Sequence, residues 1–118
     1  MRASLVLATV LAITLGACAP APSGSADSAR EVTITLSEFK FTAASFELQA
    51  GAPIRLTVKN AGAVDHDFTV QQLGVAVPVK PGASATKDLG TVAAGIYDIV
   101  CTIPGHKEAG MVGKLTVK

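Results

Sequence analysis

The stretch that decides the fold is residues 97–118, which read YDIVCTIPGHKEAGMVGKLTVK. On both sides of its centre, apolar side chains alternate with other residues in the period-2 pattern of half-buried β-strands. Ile99 shares a face with Cys101 in the first half, and Leu115 shares a face with Met111 in the second. The stretch therefore predicts two strands joined by a loop that begins at Cys101 and ends at Met111.

The loop carries the pattern Cys-x4-His-x4-Met, formed by Cys101, His106 and Met111. A thiolate, an imidazole and a thioether together favour copper, because sulfur suits Cu(I), imidazole suits both oxidation states and a thioether suits a long axial bond. The only other histidine is His66, which lies 35 positions before Cys101. We therefore predict a single type 1 copper ion held by His66, Cys101 and His106 in one plane, with Met111 on the axis. Methionine is a poor zinc ligand, which disfavours zinc.

A simpler interpretation of the same residues stays open at this point. Cys101 and Met111 are also suited to a hydrophobic core, and a lone histidine such as His66 is often a core residue bonded to a carbonyl group. His66, however, shares the parity of the apolar residues Phe68 and Val70, so it faces the interior. A buried polar group is costly unless it is satisfied, and a metal ion would satisfy His66 and Cys101 together.

The first 30 residues have the character of an export signal followed by a tether. Residues 5–17 form a mostly apolar stretch of 13 residues, which is too short to span a bilayer as a helix and typical of a signal peptide. Residues 15–18, Leu-Gly-Ala-Cys, resemble a bacterial lipobox, in which Cys18 is lipidated and becomes the mature N-terminus. The alternative is ordinary cleavage that leaves Cys18 as a free thiol. We predict a signal peptide at 1–17, an extracytoplasmic protein anchored to a membrane through Cys18, and a flexible linker at 18–30.

Residues 31–118 are predicted to form one folded domain. Short alternating segments are separated by frequent glycine and proline turns, and no long helical period occurs, which is typical of an all-β, antiparallel Greek-key β-sandwich. A disulfide between Cys18 and Cys101 is disfavoured, because Cys18 opens the tether and Cys101 stands where a metal needs a thiolate.

Composition and motifs exclude several classes of function. Removing Arg2 with the leader leaves nine basic and nine acidic residues, from totals of ten and nine, so no basic surface for nucleic acid is indicated. The chain has no Gly-rich phosphate loop and no defensible Ser-His-Asp pattern. We therefore expect a protein that is not an enzyme.

The domain resembles the cupredoxins, the blue-copper family of plastocyanin and azurin. Residues 97–101 resemble the penultimate strand of that family, residues 110–117 resemble the plastocyanin ending, and residues 60–68 resemble the segment that supplies the first histidine. The resemblance implies a sandwich of eight strands or fewer with copper near one end. The loop spacing matches rusticyanin-like and phytocyanin-like sites rather than the Cys-x2-His of plastocyanin. Plastocyanin and azurin place asparagine after the first histidine, where this chain has Asp67, which is expected to accept a hydrogen bond from the Thr102 hydroxyl or a backbone N–H.

The resemblance also implies a function, that of a monomeric one-electron carrier outside the cytoplasmic membrane that exchanges electrons with redox protein partners. The edge of His106 would be the exit port, within an apolar docking surface that includes Ala63, Val64, Pro104 and Gly105. The alternative is an extracytoplasmic copper chaperone or copper-storage lipoprotein. A metal-free adhesion domain is a further alternative.

Two other copper classes do not fit the loop. A multicopper oxidase needs histidines beside the cysteine, where this chain has Val100 and Thr102. A dinuclear copper domain needs two cysteines in the loop, where this chain has one.

Overall fold

The structure is a computed structural model that describes residues 28–118, and within them nearly all regular structure is β-strand. Part of the chain that was predicted to be leader and linker, residues 1–27 with Cys18, lies outside the described residues. One short 3-10 helix, Gln71–Leu73, follows the fifth strand, and no helix in residues 28–118 is long and apolar enough to cross a membrane. The strands are β1 (Arg30–Ser37), β2 (Lys40–Phe41), β3 (Ser45–Leu48), β4 (Ile54–Asn60), β5 (His66–Val70), β6 (Val75–Val79), β7 (Ser84–Gly90), β8 (Gly95–Val100) and β9 (Val112–Val117).

The strands form two sheets, with the orders β2-β1-β4-β7 and β3-β9-β8-β5-β6, so the predicted all-β sandwich is confirmed. Residues 28–118 form nine strands, one more than the eight or fewer that the resemblance implied. Two neighbouring pairs, β1 with β4 and β3 with β9, are parallel, and the other pairs are antiparallel. The parallel pairs were not predicted from the sequence, because period-2 alternation is the same for both strand directions. β1 begins at Arg30, one residue before the expected domain boundary, because its backbone N–H donates to the carbonyl of Pro53.

The core lies between the sheets and is built from the inward parity of each strand. Leu36 and Val58 are fully buried on one side, and Phe68 and Ile99 face them from the other. The rings of Phe41 and Phe68 meet edge to face across the sandwich, 6.0 Å apart. Fully burying an apolar side chain of this size stabilises the fold by about 1.5–3 kcal/mol, so this core fixes the position of every strand that supports the site.

The predicted ligand segments leave the same end of the sandwich. In the five-stranded sheet, Thr69 of β5 pairs with Val100 of β8, and Val100 pairs in turn with Val112 of β9. The start of β5, the end of β8 and the start of β9 are therefore adjacent. The turn that follows β4 closes over this end, because the Asn60 side chain donates to the carbonyl of Val79, the residue paired with His66.

Candidate metal centre

Cys101 follows the last residue of β8 and is completely buried as a free thiol. Its backbone N–H donates to the carbonyl of Met111 at 3.2 Å, which closes the loop at its two ends. The backbone N–H of Asp67 points at the Cys101 Sγ at 3.5 Å. An N–H donor at this sulfur stabilises negative charge, so the site is suited to a thiolate.

The two histidines bring their Nδ1 atoms to the same point. His66 is the first residue of β5 and is 1% exposed, whereas His106 lies in the loop and is half-buried. Their Nδ1 atoms are 3.2 Å apart, and the His106 Nδ1 is 3.4 Å from the Cys101 Sγ. The ligand atoms of His66, Cys101 and His106 all lie within 4.8 Å of one another. Three of the four predicted ligands therefore converge through their side chains.

The loop that carries His106 is fixed by its own backbone. The N–H of His106 donates to Ile103 at 3.0 Å, and the N–H of Met111 donates to the carbonyl of His106 at 3.0 Å. Gly105 and Gly110 have φ angles of 88° and 102°, which other residues rarely adopt. Met111 is completely buried and is bonded through its backbone to both loop ligands. The fourth predicted ligand thus lies in the same closed loop.

The donor set fits copper on chemical grounds. One sulfur that can ionise and two imidazole nitrogens are borderline-to-soft ligands, and a buried methionine beside them adds a thioether. Burial lowers the pKa of His66 below its ordinary value of 6.5, and neighbouring His106 lowers it further. A metal binds the neutral form of imidazole, so this shift favours metal binding.

Asp67 joins the two ligand segments. It is 7% exposed, and its carboxylate accepts hydrogen bonds from the Thr102 backbone N–H at 2.9 Å and from the Thr102 hydroxyl at 2.6 Å. Both of the bonds that the sequence analysis offered as alternatives are made. The Thr69 hydroxyl also donates to Asp67, at 3.0 Å. The carboxylate thereby ties the residue after His66 to the residue after Cys101.

The four residues predicted to form a docking surface are exposed and lie in the loops that precede His66 and follow Cys101. Ala63 and Val64 belong to the loop before β5, and Pro104 and Gly105 belong to the loop after β8. Val64 is 42% exposed, and Phe39, whose ring packs on the half-buried imidazole of His106, is 43% exposed.

Three residues at the site were missed by the sequence analysis. Phe39 packs edge to face on the His106 ring at 5.1 Å, with a positive φ of 60° that is rare for an aromatic residue. Asn60 is buried, and its side chain donates to Val64 and accepts from the backbone of Gly62, so it shapes the loop before His66. Glu38 lies next to His66, with Oε1 at 4.0 Å from Nε2. Only Asn60 carried a sequence signal, as part of an Asn-x-Gly turn.

Comparisons with known proteins agree with this fold. The family model described as a cupredoxin-like domain matches residues 5–117. The "copper-resistant cuproprotein CopI" of Rubrivivax gelatinosus is 30% identical over 82% of this chain and 72% of its own length. The protein of the same name from Pseudomonas aeruginosa is 26% identical over all of this chain and 96% of its own length. Reduced auracyanin from Roseiflexus castenholzii has a similar fold, with a TM-score of 0.66 at 23% identity over 75% of this chain and 96% of its own.

Proposed function

The chain belongs to the family of cupredoxin-like domains and its cofactor is copper, and from this premise we propose that it is a one-electron carrier outside the cytoplasmic membrane. In this proposal His66, Cys101 and His106 hold the ion, and Met111 contributes a weak fourth ligand. Bound copper would supply the alternation between Cu(II) and Cu(I) by which one electron is accepted and released. The remaining task of the protein is to hold these ligands still and to exclude water.

The observation that carries the proposal is the closed, preorganised ligand set. The three ligand atoms lie within 4.8 Å of one another, and the segments that bear them are joined by the bonds of Asp67 and of the Met111 backbone. His66, Cys101 and Met111 are at most 1% exposed. A site that is built from strand ends and a tight loop rearranges little when the charge of its ion changes, which suits electron transfer better than exchange of the ion.

His106 is the proposed route for electrons, because among these four residues it alone is not fully buried. The side chain of Phe39, which is 43% exposed, packs on its ring, and we expect the exposed side chain of Val64 to border the same surface. A mainly apolar surface of this kind would suit a small, short-lived interface with a redox partner, because few charges would have to be desolvated when the two proteins meet. We expect the carrier to be a monomer that makes such contacts one partner at a time.

Copper handling is the second candidate function. The two curated relatives both bear the name copper-resistant cuproprotein, which supports a role in which copper itself is the cargo of a chaperone or storage protein. The two roles differ in one property: a chaperone must let another protein's ligands reach the ion. The buried Cys101 and Met111 favour the carrier, since a cargo site needs accessible ligands.

The test measures two properties of the copper-loaded protein: whether it can be reduced and reoxidised repeatedly, and how readily it releases its copper ion. A carrier should show an intense visible thiolate-to-Cu(II) band that reductant bleaches and oxidant restores, while a Cu(I)-chelating dye removes little metal. Cys101→Ser should lose the band. Rapid stoichiometric transfer of copper to the dye, with no electron self-exchange detectable by NMR, would contradict the carrier function and favour that of a chaperone.

The proposed location rests on the sequence of the N-terminal segment. The lipobox-like residues 15–18 and the polar tether after them support export and lipidation at Cys18. Wild-type protein should then fractionate with membranes and carry an acyl modification visible by mass spectrometry, whereas Cys18→Ala should be released or processed abnormally. Unmodified wild-type protein in the soluble fraction would contradict the anchor.

A further inference from the structure

One polar atom of the site lacks a partner. The Nε2 of His66 is the only buried side-chain nitrogen or oxygen in residues 28–118 without a hydrogen bond. Because the Nδ1 of the same ring faces Cys101 and His106, the ring proton belongs on Nε2 whenever Nδ1 binds a metal. A buried N–H without an acceptor is costly, so the metal-bound form of His66 needs an acceptor at this position.

The Glu38 carboxylate is an acceptor group that lies close to this nitrogen. Its Oε1 lies 4.0 Å from the His66 Nε2, so a shift of about 1 Å by rotation of the side chain would bring the two atoms to hydrogen-bond distance. The side chain is 43% exposed, so it has room for this rotation.

The Glu38 carboxylate occupies a space beside Gly62 that the pairing of β1 with β4 creates. β1 runs parallel to β4 with Leu36 opposite Asn60, so the same register continued by two residues brings Glu38 to Gly62. A Cβ added to Gly62 would lie 2.5 Å from the Glu38 Oε1, so the missing side chain leaves the space that the carboxylate fills. The Ala63 backbone N–H donates to the same oxygen and chiefly for that reason holds the pKa of Glu38 below its ordinary value of 4.5.

We propose that Glu38 is a positioning residue of the copper centre, whose carboxylate accepts the Nε2–H of His66 and fixes the orientation of that imidazole while Nδ1 binds the metal. The inference rests on the proposed copper site and extends it to the turn between β1 and β2. Histidine ligands commonly donate their second N–H to a carboxylate or carbonyl, and losing such a partner typically lowers metal affinity ten- to a hundredfold. The negative charge beside His66 also favours Cu(II) over Cu(I).

The test uses four variants of the full chain. Glu38→Ala removes the acceptor, Glu38→Gln keeps an acceptor oxygen without the charge, and Gly62→Ala displaces the carboxylate without altering it. Gly62 does not have a positive φ, so alanine is compatible with its backbone. Glu31→Gln is the matched control, because it removes one negative charge from the opposite end of β1, where Glu31 lies near Arg55.

Two readouts separate positioning from support of the fold. Cu(II) affinity, measured by competition titration, should fall ten- to a hundredfold in Glu38→Ala, by a similar factor in Gly62→Ala, and less in Glu38→Gln. In the diamagnetic Cu(I) protein, the His66 Nε2–H should give a proton–nitrogen NMR signal protected from solvent in the wild type. That signal should be lost by exchange in Glu38→Ala and retained in Glu38→Gln, and Glu31→Gln should match the wild type in both readouts.

Three results would overturn the proposal. The first is a Glu38→Ala variant with Cu(II) affinity within twofold of the wild type. The second is lowered urea stability in Glu38→Ala with an unchanged Nε2–H signal, since that would make Glu38 only a support for the Ala63 loop. The third is wild-type protein that binds no copper, which would contradict the proposed function as well. If the wild type binds copper and Glu38→Ala binds it equally well, only the role of Glu38 is contradicted. Should Glu38→Ala not fold, Gly62→Ala decides, because Cu(II) affinity within twofold of the wild type in that variant would also overturn the proposal.

Discussion

Replacing Asp67 with alanine should disconnect the two segments that bear the metal ligands. The wild-type carboxylate accepts three hydrogen bonds, two from Thr102 at 2.9 and 2.6 Å and one from Thr69 at 3.0 Å, at a position that is 7% exposed. Alanine leaves the backbone N–H of Thr102 without its acceptor and the Thr69 hydroxyl without its partner. The loop after β8 then loses its direct side-chain tie to β5.

The expected loss of stability follows from the number and type of these bonds. A hydrogen bond to a charged group contributes about 1.5–3 kcal/mol. The three bonds share one acceptor and are therefore not additive, and Thr102 is exposed enough for its hydroxyl to turn to water. We expect Asp67→Ala to lower the free energy of unfolding by about 3 kcal/mol, which for a domain of this size lowers Tm by roughly 12–24 °C. Asp67→Asn keeps an acceptor for the Thr102 N–H and should lose about 1 kcal/mol.

Urea unfolding of the metal-free protein measures this difference without any contribution from copper binding. Thr86→Val is the matched control, because it removes an exposed hydroxyl pair with Thr57 at 3.1 Å and should change stability by less than about 0.5 kcal/mol. An Asp67→Ala variant whose free energy of unfolding lies within about 0.5 kcal/mol of the wild-type value would contradict this prediction. An Asp67→Asn variant as unstable as Asp67→Ala would show that the charge, rather than the acceptor geometry, joins the segments.

Three further predictions concern Met111, Val64 and the ion pair between Arg55 and Asp88. Met111→Leu should keep copper and its visible band but raise the reduction potential, because an apolar neighbour favours Cu(I); loss of copper would show that methionine binds strongly. Val64→Lys should leave the visible spectrum unchanged and slow electron self-exchange about ten- to a hundredfold, because the lysine charge must be desolvated at the surface around His106. An unchanged rate would show that Val64 is not part of that surface. Arg55 lowers the pKa of Asp88 below its ordinary value of 3.8, so the stability from this pair is present above pH 3.8 and lost as pH falls through the lower folded value. Arg55→Gln should therefore make the free energy of unfolding depend less on pH in that window. A pH dependence identical to that of the wild type would contradict this prediction.

Much of the fold was predictable because strand parity is a local property. The alternation that put Ile99 and Cys101 on one face, and Leu115 with Met111, is the alternation that the structure buries. Strand direction was not predictable in the same way. A strand with one apolar face shows the same alternation whether its neighbour is parallel or antiparallel, so the parallel pairs β1–β4 and β3–β9 left no trace in the pattern.

The ligand types were predictable because so few residues of the chain can bind copper. Two histidines and one cysteine after position 18 leave little choice, and the structure brings all three together. The bond from Thr102 to Asp67 was predictable in kind because each residue directly follows a ligand. Phe39 and Glu38 were not, because nothing in their local sequence shows that the turn after β1 reaches the metal-binding end of the domain.

The parallel pairing is what brings that turn to the site. If β1 ran antiparallel to β4, its last residues would lie beside the start of β4 at Ile54, at the opposite end of the sandwich from His66. Because the two strands run in the same direction, with Leu36 opposite Asn60, both end together and the N–H of Ala61 donates to the carbonyl of Leu36 at 2.8 Å. The residues after each strand then lie side by side, which places Glu38 against Gly62 and within reach of His66. The one feature of strand pairing that the sequence pattern could not indicate therefore decides which carboxylate can serve the first histidine of the copper site.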